Sequence, residues 1–130
     1  MPKLNQFIAL GDSLTEGLSD KYSDGSFRGW ADRVADEMSK HDSNFRYANL
    51  AVRGKLLEQV VSDQLQVALP WMKHSETLVT FHAGANNVLR PKFEPDQVFE
   101  IYRNAVAQIS ETGARLLLFT VREVSNPQSR

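Results

Sequence analysis

The chain has 130 residues, 42% of them hydrophobic and 24% charged, with 15 basic against 16 acidic side chains and a net charge of -1. This is the balance of a globular chain forming one modest domain, 1–130, and with no basic run or acidic tail it carries no electrostatic footprint for nucleic acid or an anionic membrane. No segment nears the ~20 continuous apolar residues of a membrane span, the N-terminus lacks a signal-peptide pattern, and zero cysteines exclude disulfides, thiolate catalysis and a cysteine metal site.

The expected location is therefore cytoplasmic and the expected partner a small neutral or mixed-charge molecule. Three scattered histidines without a metal-ligand spacing give little support for a histidine metal centre.

Along the chain, strand-like and helix-like segments alternate, with no repeat and no linker. Phe7-Ile8-Ala9-Leu10 is a short continuous apolar run, as expected of a parallel strand covered on both faces. After a polar loop with the turn pair Asp24-Gly25, Trp30 to Lys40 places Trp30, Val34 and Met38 four apart beside Ala31 and Ala35, which predicts a helix with one buried face. Phe45 to Leu50 reads as a second strand. Leu57, Val60, Val61, Leu65 and Ala68 form a helical stripe that Pro70 is expected to end. Thr77 to Ala83 is a β-branched and aromatic strand. The helix after it has Pro95 near its start, Val98, Tyr102, Ala105, Val106 and Ile109 inward, and Gly113 as its cap, before a fourth strand in ARLLLFTV. The alternation predicts an α/β protein with a parallel sheet and right-handed crossovers.

In a parallel sheet the residues after every strand gather at one edge, where ligands bind. Gly11-Asp12-Ser13, Ala51-Val52-Arg53-Gly54 and Gly84-Ala85-Asn86-Asn87 follow the first three strands and should meet there. Taken singly, each reads as a turn: Ser and Asp cap helices, and Gly and Asn tolerate unusual backbone angles. Together they supply a hydroxyl able to approach a carbonyl carbon, a glycine N–H that admits close approach of an oxygen, and a side-chain amide donor. That set suggests acyl transfer to Ser13.

GDSL at Gly11 to Leu14, Gly54 within NLAVRG, and GANN with Asn86 resemble the first three sequence blocks of the SGNH, or GDSL-type, serine esterases and lipases. The resemblance implies a flavodoxin-like α/β/α fold of strand order 2-1-3-4-5 and hydrolysis of carboxylic esters. Ser13 would be the nucleophile; its N–H, Gly54 and Asn86 would form the oxyanion hole, with Asp12 and Gly84 supporting. No metal or organic cofactor is implied. The third block usually reads Gly-x-Asn-Asp, and here Asn87 takes the last place.

The family's Asp-x-x-His pair, which supplies the general base, is absent from these 130 residues. The expectation is an N-terminal portion with strands 2-1-3-4 present, a fifth strand and last helix missing, weak or no activity alone, and self-association through the bared fourth strand. His41 and His74 are expected at the amino edge of the sheet, on the order of 15–20 Å from Ser13, against the ~3 Å a base requires. His82 alone lies near the correct edge, where a hydrogen-bonded structural role is the ordinary reading and a substrate-side or surrogate-base role the alternative. Arg28, Arg53, Arg90 and Lys92 are candidates to favour an anionic group on a substrate, with surface solvation as the ordinary use of each. A non-catalytic ligand-binding chain of the same fold is the alternative; a nucleotide binder is disfavoured, because no phosphate-binding glycine motif follows the first strand.

Overall fold

The computed structural model describes residues 4–17, 29–73 and 76–119. Among them four strands, β1 (Gln6–Gly11), β2 (Arg46–Asn49), β3 (Thr77–His82) and β4 (Arg115–Leu118), form one all-parallel sheet in the order β2-β1-β3-β4. The helices are α1 (Ser13–Glu16), α2 (Trp30–Ser39), α3 (Leu57–Gln59), α4 (Gln66–Met72), α5 (Ala85–Val88) and α6 (Pro95–Glu111). A π-helical segment, Val60–Leu65, runs without a break from α3 into α4. The architecture is the flavodoxin-like α/β/α arrangement expected from the alternation of strands and helices.

β1 lies between two strands and is buried over all six residues, which is why its sequence does not alternate polar with apolar. Its side chains still alternate between faces. Phe7 and Ala9 pack with Ala31 and Ala35 of α2, flanked by Trp30, Met38 and Tyr47. Ile8 and Leu10 face the other way, onto Leu57, Val60, Leu65, Ala68 and Met72, with Ala105 and Ile109 of α6 behind. Gln6, buried at the head of the strand, is satisfied: its Nε2 donates to the Trp71 carbonyl (3.0 Å) and to Thr77 Oγ1 (2.9 Å).

Two helical expectations are corrected. Val34 does not face the sheet and is 37% exposed, while Ala31 and Ala35 are buried against it. Two small residues let the helix backbone approach the sheet, so the larger Trp30 and Met38 are displaced to the flanks. Nor does Pro70 end its helix: α4 continues to Met72. The proline sits in the last turn, where its missing N–H removes a single bond, and that turn is held from outside by Gln6 on the Trp71 carbonyl and by burial of Met72. α6 ends as expected, with Thr112 followed by Gly113 at φ +83°.

β4 is the outer strand of the described sheet, paired with β3, and its Leu117 and Leu118 are 48% and 40% exposed. No helix among the described residues is long and apolar enough to cross a membrane.

Phe7, fully buried and stacked on Tyr47 at 5.3 Å, anchors the α2 face. Phe7→Ala is expected to lower stability by about 3–5 kcal/mol, and Val34→Ala by about 0.5 kcal/mol or less, both read from urea denaturation midpoints.

Candidate active site

The three motif turns do meet at the carboxyl edge. At the first, β1 ends at Gly11 and α1 begins two residues later, at Ser13. The capping residue is Asp12: its Oδ1 accepts from the Leu14 N–H (3.4 Å), and its main-chain carbonyl accepts from Thr15 (3.1 Å) and Glu16 (2.9 Å). Asp12 is 4% exposed, and its Oδ2 has no partner among the described residues. The helix start is thus served by its neighbour, and the half-buried Ser13 side chain is not needed as a cap.

Gly54 lies in the turn after β2 at φ +75°, a left-handed conformation natural to glycine. Glu16, one turn beyond Ser13, fastens this turn: its carboxylate accepts from the Arg53 backbone N–H and from the Arg53 guanidinium at 3.2 Å. Asn49 adds a second tie, with Nδ2 donating to the Thr15 carbonyl (3.0 Å) and Oδ1 accepting from the Ala51 N–H (3.0 Å). The Val52 N–H donates to the Gly11 carbonyl (3.2 Å).

At the third turn, Gly84 opens α5 at φ +113°. Asn86 Nδ2 donates to the carbonyl of Lys55, the residue after Gly54, at 2.9 Å. One of its two amide hydrogens is thereby used to orient the group, and the second is free for a ligand by chemistry. Asn87 is buried and turns the other way: its Oδ1 accepts from the Leu57 N–H at the start of α3 (2.8 Å), and its Nδ2 lies 3.2 and 3.4 Å from the two carboxylate oxygens of Glu58. Ser13, Gly54 and Asn86 are therefore held on turns that bond to one another, with Asn87 as the brace beneath.

Several of the groups that do the bracing were not anticipated from sequence: Glu16, Asn49, Glu58 and Gln64. Gln64 alone left a trace there, as a polar residue inside the apolar helical stripe that is nonetheless 3% exposed.

His82 closes β3, in register with Gly11. Its ring meets Phe119 edge-on at 5.9 Å and its Nδ1 is buried without a partner among the described residues. It borders a cavity of about 200 Å³ shared with Phe81, Tyr102 and Phe119, where burial pushes the Tyr102 phenol up from its ordinary value. His41 lies exposed between the end of α2 and the start of β2, the edge opposite Ser13, as expected. His74 and Arg28 lie outside the described residues. Arg53 is paired with Glu16, while Arg90 and Lys92 line, with Leu56, Glu58, Asn87 and Phe93, a cavity of about 360 Å³ beside the third turn. Among the described residues there is no cluster of three His, Cys, Asp or Glu side chains that could hold a metal.

The parallel sheet thus brings a serine, a glycine turn and an asparagine to its carboxyl edge. The GDSL-like Lipase/Acylhydrolase family matches residues 9–130, and the chain belongs to that family. Solved structures with the same fold include a variant of the esterase AlinE4 (TM-score 0.72, 19% identity, covering 98% of this chain and 64% of that one). TesA follows (0.71, 21%, 91% and 61%), with the psychrotrophic esterase EstA from Pseudoalteromonas sp. inhibited by monoethylphosphonate (0.66, 18%, 88% and 58%). The chain spans less than two thirds of the length of each. No curated protein sequence matches significantly.

The Asn87 geometry makes the amide specific. Asn87→Asp would set a second carboxylate against Glu58 and lose the donor between them. The expected loss is about 1–2 kcal/mol near neutral pH, recovered in large part when Glu58→Gln is added; a urea double-mutant cycle measures it.

Proposed function

We propose that this chain carries the nucleophile and oxyanion-binding half of a serine ester hydrolase. The observation that supports the reading best is the mutual bonding of the three turns: Glu16 to Arg53, and Asn86 to the Lys55 carbonyl, leave Ser13, Gly54 and Asn86 on one braced edge.

In this reading the Ser13 hydroxyl oxygen attacks the ester carbonyl carbon, and the carbonyl π electrons move onto oxygen. The Ser13 and Gly54 N–H groups and the second hydrogen of Asn86 Nδ2 would be the donors to that oxyanion, and donors held in advance stabilise such charge without reorganisation at the moment of reaction. Collapse expels the alcohol, leaving an acyl group on Ser13 for water to remove. The serine proton must go to a base. The family's Asp-x-x-His pair is not in these 130 residues, and of the two described histidines, His41 and His82, the second is the one at this edge. An alkyl hydroxyl without a base is a weak nucleophile, and losing the triad lowers turnover by on the order of 10⁶, with residual catalysis from the oxyanion donors of roughly 10³–10⁴ over water.

The expected behaviour of the purified chain is slow hydrolysis of p-nitrophenyl acetate, far below ordinary enzymatic rates, and slow modification of Ser13 by an ethyl fluorophosphonate, both lost in Ser13→Ala. Ordinary rates would mean that a base operates within these residues; His82→Ala would then identify it. Hydrolysis and labelling unchanged in Ser13→Ala would remove the proposal and leave the non-catalytic reading.

A further inference from the structure

A buried two-point polar contact lies directly behind the turn that carries Ser13. Gln64 projects from the π-helical segment into the core and is 3% exposed. Its carboxamide meets Gly11 at two points: the Gly11 N–H donates to Oε1 at 2.9 Å, and Nε2 donates to the Gly11 carbonyl at 2.9 Å. In a strand the N–H and carbonyl of one residue point to the same side, so a side-chain amide can pair with both as a neighbouring strand would. The Gly11 carbonyl also receives the Val52 N–H, two residues before Gly54. On the opposite side Gly11 is pressed against β3, where a Cβ would stand 2.5 Å from the His82 carbonyl oxygen.

From this geometry we infer that Gln64 is a positioning residue for Ser13: it fixes the Gly11 peptide groups, and with them the direction in which the chain leaves β1 to present the serine. The inference rests on the proposed nucleophilic role of Ser13. A carboxamide is suited to the task because it carries a donor and an acceptor in one plane without charge. Leucine supplies neither, and an ionised carboxylate supplies an acceptor but turns a second lone pair toward the Gly11 carbonyl. Misplacement of a reacting group by about 1 Å can lower a rate on the order of 10²-fold, so a change confined to this clamp is large enough to read.

The test compares the parent chain with Gln64→Leu, Gln64→Glu and the control Gln66→Leu, a position two residues further along the same helical run whose exposed amide contacts Gln108 of α6. The readouts are the rate of Ser13 phosphonylation by an ethyl fluorophosphonate, followed by mass spectrometry, and the exchange rate of the Gly11 amide hydrogen. Gln64→Leu is expected to retain a cooperative melt while Gly11 exchange accelerates and Ser13 labelling slows by about tenfold or more; Gln66→Leu labels as the parent does. For Gln64→Glu the labelling rate relative to the parent, low at about pH 8, is expected to rise toward one at about pH 5, since a neutral carboxyl again offers one donor and one acceptor.

A folded Gln64→Leu chain that labels at the parental rate overturns the assignment. Should that variant fail to fold, the Gln64→Glu series decides, and a ratio that stays flat with pH overturns it. If the parent itself labels no faster than Ser13→Ala, the nucleophile reading is what fails; parental labelling with unaffected Gln64 variants removes the positioning role alone.

Discussion

Between the last residue of β1 and the carbonyl of His82 there is no space for a side chain. The way the chain leaves β1 follows from that contact. Because Gly11 lies against β3 on one side, it can be held on the other by Gln64 and by the Val52 N–H, and the chain leaves the strand in one fixed direction. Asp12 then caps the helix that Ser13 opens. A serine that would otherwise be spent on capping has its hydroxyl available, which is the condition any nucleophilic reading requires.

Parallel strands make this edge without further instruction, since each delivers its following turn to the same side. What fixes the turns relative to one another is the bonding between them. Glu16 reaches from α1 to the turn of Gly54, Asn86 from α5 to the Lys55 carbonyl, and Asn87 to the first N–H of α3. Exposed ion pairs are ordinarily worth little, yet Glu16 also accepts a main-chain N–H, and this orients the backbone in a way a side-chain pair could not.

The asparagine at position 87 shows what an amide does that a carboxylate in the same place would not. In this chain the residue accepts one N–H and faces a carboxylate, and an amide satisfies both partners where a carboxylate would satisfy only the first. Membership of the GDSL-like Lipase/Acylhydrolase family is carried by residues 9–130, while the esterases AlinE4 and EstA share the fold at 19% and 18% identity. Gln64 and Glu58 take their places in the brace through their own contacts to Gly11 and Asn87.

Local sequence was enough to determine the order of the strands and the longer helices, though not the short α1 and α5, because an unbroken apolar run such as Phe7 to Leu10 and a helical stripe such as Leu57 to Ala68 express burial directly in residue type. It also placed Ser13, Gly54 and Asn86 after successive strands, since strand direction alone sends those turns to one edge. Tertiary structure decided which residue of α2 meets the sheet, because close approach favoured Ala31 and Ala35 over Val34, and whether Pro70 ends its helix, because Gln6 supports the last turn from another element. It decided, too, that Gln64 binds Gly11 across 53 positions of sequence and that Asn87 meets Leu57 and Glu58. Hydrophobic periodicity is a property of neighbours along the chain, whereas a hydrogen bond between distant residues depends on angles and distances that exist only once the layers have packed.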